Sequence, residues 1–305
     1  MNDNEYMVKR FDDALYAIPS GIKELLLSLP SRTKAYAEEI RIRAEKPLIL
    51  TVNGAPMWVG SDKRATLLPP REPVYVTSSQ VQEIYLNLCN RSVYSHFDEI
   101  KDGYIMMSGG HRAGICGTVF SDGVRDISSI NIRISKECPG CADRIVSHFD
   151  GGMLIAGPPG SGKTTLLRDA VRQLSTYHHR RITVIDSRGE IAAMKNGSPQ
   201  NSLGDNTDVI TGADKVRGIE IALRVMYPQI IAFDEISSQG EVELIIKGLF
   251  GGASVITTAH VGSPEDLARR DVTRRLLQSG AIKTVAVLEK VGGDIKFIGA
   301  EKVIG

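Results

Sequence analysis

Residues 157–167, GPPGSGKTTLL, limit most sharply what this chain can fold into. They fit the pattern G-x-x-x-x-G-K-[ST] at Gly157, Gly162, Lys163 and Thr164. Glycines let the backbone turn with positive φ and bring its N–H groups against phosphate oxygens. Pro158, Pro159, Gly160 and Ser161 fill the loop, and Thr165 follows it. The Lys163 ammonium is a point charge for β- and γ-phosphates, and the Thr164 hydroxyl is a Mg²⁺ ligand. Such a loop needs a strand before it and a helix after it. GMLIAG is a short apolar run, and TTLLRDAVRQLS places Leu166, Leu167, Ala170, Val171 and Leu174 at helical spacing. A chance Gly-rich turn would lack that context. The stretch predicts a nucleoside triphosphate site, with ATP and Mg²⁺ as its ligands.

Four further apolar runs follow, RITVIDS, PQIIAFDEI, ASVITTAH and IKTVAVLEK, separated by helical stretches. Fully apolar strands alternating with helices predict an α/β domain with a mainly parallel sheet covered on both faces. Open sheets of this kind bind ligands at their strand ends. PQIIAFDEI ends in Asp234 and Glu235, one acid for the metal and one to orient or deprotonate an attacking water. TVIDSRGEIAAM adds Asp186 and Glu190, and ASVITTAH ends at His260, a neutral imidazole placed to sense a γ-phosphate.

The first half reads as a smaller α+β domain. SGIKELLLSLP is a brief amphipathic helix stopped at Pro30, and Asn53-Gly54 marks a hairpin. Ser79 and Gln82 are spaced as a capping box for a helix over SSQVQEIYLNLCN. GYIMMSGGHRAGICGTVFSDGVRDISSINIRIS supplies three β-rich runs broken at GGHR and SDG. The segment KECPGCADRIVSHFDGG reads as the linker, giving domains 1–147 and 148–305, the second closing in a hairpin at Gly292-Gly293. Cys138 and Cys141 make a C-x-x-C without a second pair to complete a zinc site, which reads as reduced thiols in a turn.

The 37 basic and 36 acidic residues nearly cancel, so no global field points to nucleic acid or an anionic membrane. The longest uncharged stretch, 248–264, is too short and too rich in Gly, Ser and Thr for a membrane span. The N-terminus lacks a signal peptide's apolar core, which predicts a cytoplasmic protein.

The order of P-loop, acid box IDSRGE, ALRVMYPQIIAFDEI and VITTAH resembles the RecA-like, AAA-related ATPases of type II and type IV secretion and pilus machines. RIRAEKPL, GYIMMSGGHRAGICG and SSINIRIS extend the resemblance, over nearly the whole chain, to a compact branch of that group, the stage III sporulation AA family. The resemblance implies an ATPase working as a hexameric ring with membrane-embedded sporulation channel proteins between mother cell and forespore, peripheral at the membrane through those partners. It implies that Glu235 matches the glutamate of the second acidic motif, Glu190 that of the acid box, and His260 the histidine-box residue. Secretion ATPases usually carry Gly where this chain has Asp234. Generic P-loop logic gives Asp234 to Mg²⁺ and Glu235 to the water, whereas secretion-type logic gives Glu235 to Mg²⁺ and Glu190 to the water. Both divisions stay open on sequence. Arg133 in NIRIS and Arg112 in GGHR are candidate arginines for a γ-phosphate.

A nucleic-acid-dependent ATPase is the alternative, since RecA-like cores also serve helicases. Its basic candidates are ARRDVTRR (268–275) and Arg41 with Arg43. The first includes an acid at helical spacing and reads as a solvated face, and the aromatic residues do not cluster. No nucleic-acid partner is expected.

Overall fold

The computed structural model describes residues 3–120, 123–288 and 295–299. They fall into two compact units, Met1–Lys136 and Glu137–Gly305. The sequence set the boundary near 147. The segment from Glu137 instead lies with the second unit, because Ala142 and Ile145 join that unit's core and the Ala142 N–H donates to Asp169 Oδ2 at 2.9 Å.

The first unit is an antiparallel sheet with helices on its buried side. Ala37–Arg43 sits centrally, paired with Ile49–Val52 on one side and Gly123–Arg133 on the other. Ile49–Val52 and Ala55–Val59 form the expected hairpin. Its turn residues, Asn53 at φ 49° and Gly54 at φ 74°, both adopt the left-handed backbone that a two-residue hairpin turn demands. Arg112–Phe120 pairs with Gly123–Arg133, Ser121 and Asp122 of the SDG turn between them lying outside the described residues. Phe11 and Leu15 from the N-terminal segment and Ile84 and Leu88 from helix Ser78–Leu88 bury against Ile40, Ile42 and Leu50 of the sheet. That helix carries a capping box, but at Thr77 and Gln80 rather than Ser79 and Gln82. Thr77 has the extended backbone a cap requires, at φ −77° and ψ 158°, whereas Gln82 reaches across to the Ile127 carbonyl.

The second unit is the α/β domain read from the sequence. Its strands run in the order Thr207–Ile210, Ile182–Ile185, Ile230–Phe233, Ser254–His260, Met153–Gly157, Thr284–Leu288, Ile295–Gly299. The first six are mutually parallel, and the last pairs antiparallel with its neighbour, as the closing hairpin predicts. The Gly292-Gly293 turn lies outside the described residues. Alternate residues of the strand Met153–Gly157 enter two different cores. Met153 and Ile155 pack with Leu166, Leu167, Ala170 and Val171 of helix Lys163–Thr176. Leu154 and Ala156 pack with Val242 and Ile245 of helix Gln239–Phe250 and with Leu276 and Leu277. Both faces are therefore covered, which is why these strands are apolar throughout rather than alternating.

Gly152, just before the P-loop strand, marks a close backbone approach. A Cβ there would lie 2.0 Å from the Ala281 carbonyl oxygen. Gly152→Ala should shift the unfolding midpoint by an amount equivalent to about 1–3 kcal/mol, the usual range for overpacking. Urea denaturation followed by circular dichroism measures it, and an unshifted midpoint would contradict the packing.

Candidate nucleotide site

The strand Met153–Gly157 leads directly into the loop 157–162. At Gly157 a side chain would meet the Leu288 carbonyl oxygen at 3.0 Å. Gly160 and Gly162 hold φ +73° and +88°, and a Cβ at either would meet nothing, so they are glycines for their backbone conformation. Gly162 is the N-cap of helix Lys163–Thr176 and offers no side-chain cap, which leaves this helix start to an anion. The Ser161 hydroxyl is buried without a hydrogen-bond partner. Lys163 is buried, and its Nζ donates to the Pro158 carbonyl at 2.8 Å. Burial pushes its pKa below the ordinary lysine value, with Asp234 and Glu235 opposing the shift. A left-handed glycine loop, an uncapped helix start, an orphaned hydroxyl and a buried cation together fit a phosphate chain.

Asp234 follows the strand Ile230–Phe233, two strands away from the P-loop strand. Its Oδ2 accepts from the Thr164 hydroxyl at 2.6 Å, and its Oδ1 accepts from Thr258. Thr258 Oγ1 in turn accepts from the Glu235 N–H at 2.8 Å. The P-loop threonine and the strand-end acid are thus joined by a direct hydrogen bond. Thr164 and Asp234 form an oxygen pair suited to a hard divalent cation.

Glu235 has φ +55°, costly for a side chain with a Cβ and common where function holds it. Lys215, close to the N-terminus of helix Lys215–Ile221, clamps this conformation. Its Nζ donates to the Glu235 carbonyl, reaches Ser237 Oγ at 3.2 Å, and pairs with Glu241 at 3.5 Å. The Glu235 carboxylate pairs with Arg188 at 2.9 Å. Arg188 and Lys215 were missed in the sequence. Arg188 lies inside the quoted acid box and had a signal, whereas Lys215 acts through contacts no local pattern reveals.

The two acids of the acid box separate in role. Asp186 is buried and spends both oxygens on backbone, accepting from Glu190 N at 2.9 Å and Ala192 N at 2.7 Å. It shapes the loop. Glu190 is exposed and lines one cleft with Arg188, Asp234 and Glu235. Arg168 from the P-loop helix holds the Glu190 carbonyl at 2.7 Å.

His260 ends the strand Ser254–His260 in register with Gly157, so it stands beside the first residue of the loop. Its Nδ1 is buried with no hydrogen-bond partner. Arg133 belongs to the other unit, at the end of Gly123–Arg133 and opposite Arg112 and Glu39. It is 70 % exposed, with Glu39 Oε1 at 3.8 Å. Arg112 lies over the Tyr104 ring at 3.6 Å. In the run 268–275, Arg269, Arg274 and Arg275 face Asp266, Asp271 and Glu243, and Arg270 donates to the His260 carbonyl. Among the described residues no helix is long and apolar enough to cross a membrane.

A family model described as "Sporulation stage III, protein AA" matches residues 10–304. The stage III sporulation protein AA of Bacillus subtilis (strain 168) is 32% identical over 290 residues, covering 90% of each chain. The type IV pilus assembly ATPase TfpB of Acinetobacter baylyi is 32% identical over 120 residues, 39% of this chain and 19% of that protein. Among solved structures, the Legionella pneumophila ATPase DotB superposes with a TM-score of 0.59 at 16% identity, covering 94% of this chain and 82% of its own. The pilus retraction motor PilT with bound ADP gives 0.57 at 15% identity, covering 88% and 82%. These neighbours confirm the RecA-like fold of secretion ATPases, preceded by an N-terminal domain.

Proposed function

This chain belongs to the stage III sporulation protein AA family, and from that premise we propose that it is a Mg²⁺-dependent ATPase driving a membrane-associated secretion or channel assembly between mother cell and forespore during sporulation. The observation that carries this reading is the 2.6 Å hydrogen bond from the P-loop Thr164 to Asp234, on a fold shared with secretion ATPases. Lys163 and the backbone of 157–164 bind the phosphates. Thr164 and Asp234 would hold the metal, because Asp234 already accepts from the threonine whereas the Glu235 carboxylate pairs with Arg188. A Mg²⁺ held there would supply neutralisation of the charge that develops on the phosphates. Glu235 orients the attacking water and takes its proton, with Glu190 beside it in the cleft. His260, its ring nitrogen unpartnered, reads the γ-phosphate. Arg133 completes the charge stabilisation within a hexameric ring whose partners are membrane proteins of the sporulation channel.

The test is ATP hydrolysis by the purified chain with Mg²⁺ and with a chelator, alongside light scattering for oligomer mass, with lipid and single-stranded DNA as added arms. Mg²⁺-dependent turnover that rises on ring assembly, indifferent to DNA, is expected. Stimulation by DNA alone would favour the nucleic-acid reading, and ATP bound without turnover in every arm would overturn the assignment.

Arg133→Ala should lower hydrolysis about tenfold, less than loss of a lone arginine finger, because Arg112 stands opposite it in register. ADP affinity should stay unchanged, since ADP lacks the γ-phosphate. Steady-state rates with an ADP titration check both, and normal turnover would remove Arg133 from the site.

A further inference from the structure

The C-x-x-C at 138–141 takes no part in the nucleotide site, yet its geometry is specific. Cys138-Pro139-Gly140-Cys141 is a tight turn closed by the Cys141 N–H on the Cys138 carbonyl at 3.1 Å, with Gly140 at φ +88°. Pro at the second position and a left-handed Gly at the third are the signature of a type II turn, whose ends lie within about 7 Å. That span overlaps the Cα separations of about 4.4–6.8 Å that a disulfide bridges. Cys138 and Asp169 both neighbour Cys141 closely enough to raise its thiol pKa, and the next residue, Ala142, donates its N–H to Asp169. Cys138 is exposed and Cys141 half-buried, and both are free thiols.

Asp169 sits at the centre of a buried network on the P-loop helix. It accepts from Ala142 N at 2.9 Å, Gln173 Nε2 at 2.9 Å, and Arg172 at 2.9 and 2.6 Å. Cys138 and Asp169 also line a small cavity with Thr165 and Arg168, the arginine that holds the acid-box loop through Glu190. The thiol pair therefore touches the helix that presents Lys163 and Thr164.

We propose that Cys138 and Cys141 are a redox modification site, a dithiol that closes to a disulfide by exchange with a small-molecule disulfide and reports its state to the P-loop helix through Asp169. Exposed Cys138 is the attacking thiol. As thiolate it bonds to one sulfur of the small disulfide, whose S–S bond breaks and releases the first small thiol. Cys141 then loses its proton to solvent and attacks the Cys138 sulfur, and the mixed disulfide breaks to release the second. Two protein thiols are oxidised and one small disulfide is reduced to two thiols. Burial and the neighbouring Cys138 and Asp169 push the Cys141 thiol above its ordinary pKa, which suits a resolving thiol that acts second. Closure reshapes the turn that precedes the Ala142 N–H donated to Asp169 and loosens the helix start, so the oxidised form binds nucleotide more weakly.

The experiment equilibrates the full chain with mixtures of reduced and oxidised glutathione, then maps disulfides by peptide mass and titrates a fluorescent ADP analogue. A Cys138–Cys141 bridge lighter by two hydrogens is expected, with affinity about fivefold lower, near the lower end of ordinary coupling between sites. Cys138→Ser/Cys141→Ser should keep the reduced-form affinity at every ratio, since serine cannot form the bridge. Mapping separates this bridge from any made by exposed Cys116. Both thiols remaining alkylatable in fully oxidised glutathione, or a bridged chain binding the analogue as the reduced chain does, would overturn the proposal.

Discussion

Lys163→Ala should lower ATP hydrolysis by about three orders of magnitude, the upper range for removing one preorganised donor to developing charge. The ammonium is buried beside the loop and spends itself on the Pro158 carbonyl, a weak partner that a phosphate oxygen outcompetes. Stability should move the other way. A lysine whose pKa is lowered in the folded state binds its proton better when unfolded, so the charged side chain penalises folding at all pH values below that lowered pKa. The penalty fades as pH rises towards the ordinary lysine value. Alanine removes it while leaving one carbonyl unpaired, so the variant should melt no lower than the parent at neutral pH. Thermal scans with and without ATP give the discriminating readout. ATP raises the parent's melting temperature by mass action and leaves the variant's unmoved. Equal ATP-induced shifts in both proteins would show that the triphosphate binds elsewhere.

The parts legible in the sequence were those fixed by local chemistry. The P-loop was legible because its glycines, lysine and threonine each answer a need of the phosphate chain at one spacing. The parallel sheet was legible because strands buried on both faces leave continuous apolar runs such as LIAG and IIAF. The Asn53-Gly54 turn was legible because few residues adopt two successive left-handed conformations. The misplaced capping box had the opposite cause. Thr77, Ser78 and Ser79 are all able to cap, and only the tertiary position of Gln82 against Ile127 decides which one does. Lys215 was invisible for a similar reason, since it acts on Asp234 and Glu235 across strands with no pattern of its own. Thr258 lay inside the quoted VITTAH run, and only its contacts to both acids were hidden. Asp186 and Glu190 looked like one acid pair until burial divided them into a loop-forming residue and a cleft residue.

Glu235→Gln should slow turnover by about a hundredfold or more while leaving ATP affinity near that of the parent, the range expected for losing a general base. The amide keeps the size of the side chain and cannot take a proton. Nucleotide affinity survives because Thr164, Lys163 and Asp234 are untouched, and Asp234 keeps both hydroxyl donors. The substitution also weakens the ion pair with Arg188, but that guanidinium is largely exposed and such pairs contribute only about 0–1 kcal/mol. A fold defect should therefore be minor, and unchanged circular dichroism checks it. Glu190→Gln separates the two divisions of labour. If Asp234 serves the metal and Glu235 the water, Glu190→Gln reduces turnover only severalfold, and Mg²⁺ affinity is unaltered in both glutamine variants. If Glu190 alone proves indispensable, and Glu235→Gln weakens Mg²⁺ binding instead, the secretion-type division holds despite the aspartate at 234. Measuring kcat together with the Mg²⁺ concentration for half-maximal rate in the two variants tells these outcomes apart, because a lost base lowers kcat at saturating metal while a lost metal contact is recovered by more metal.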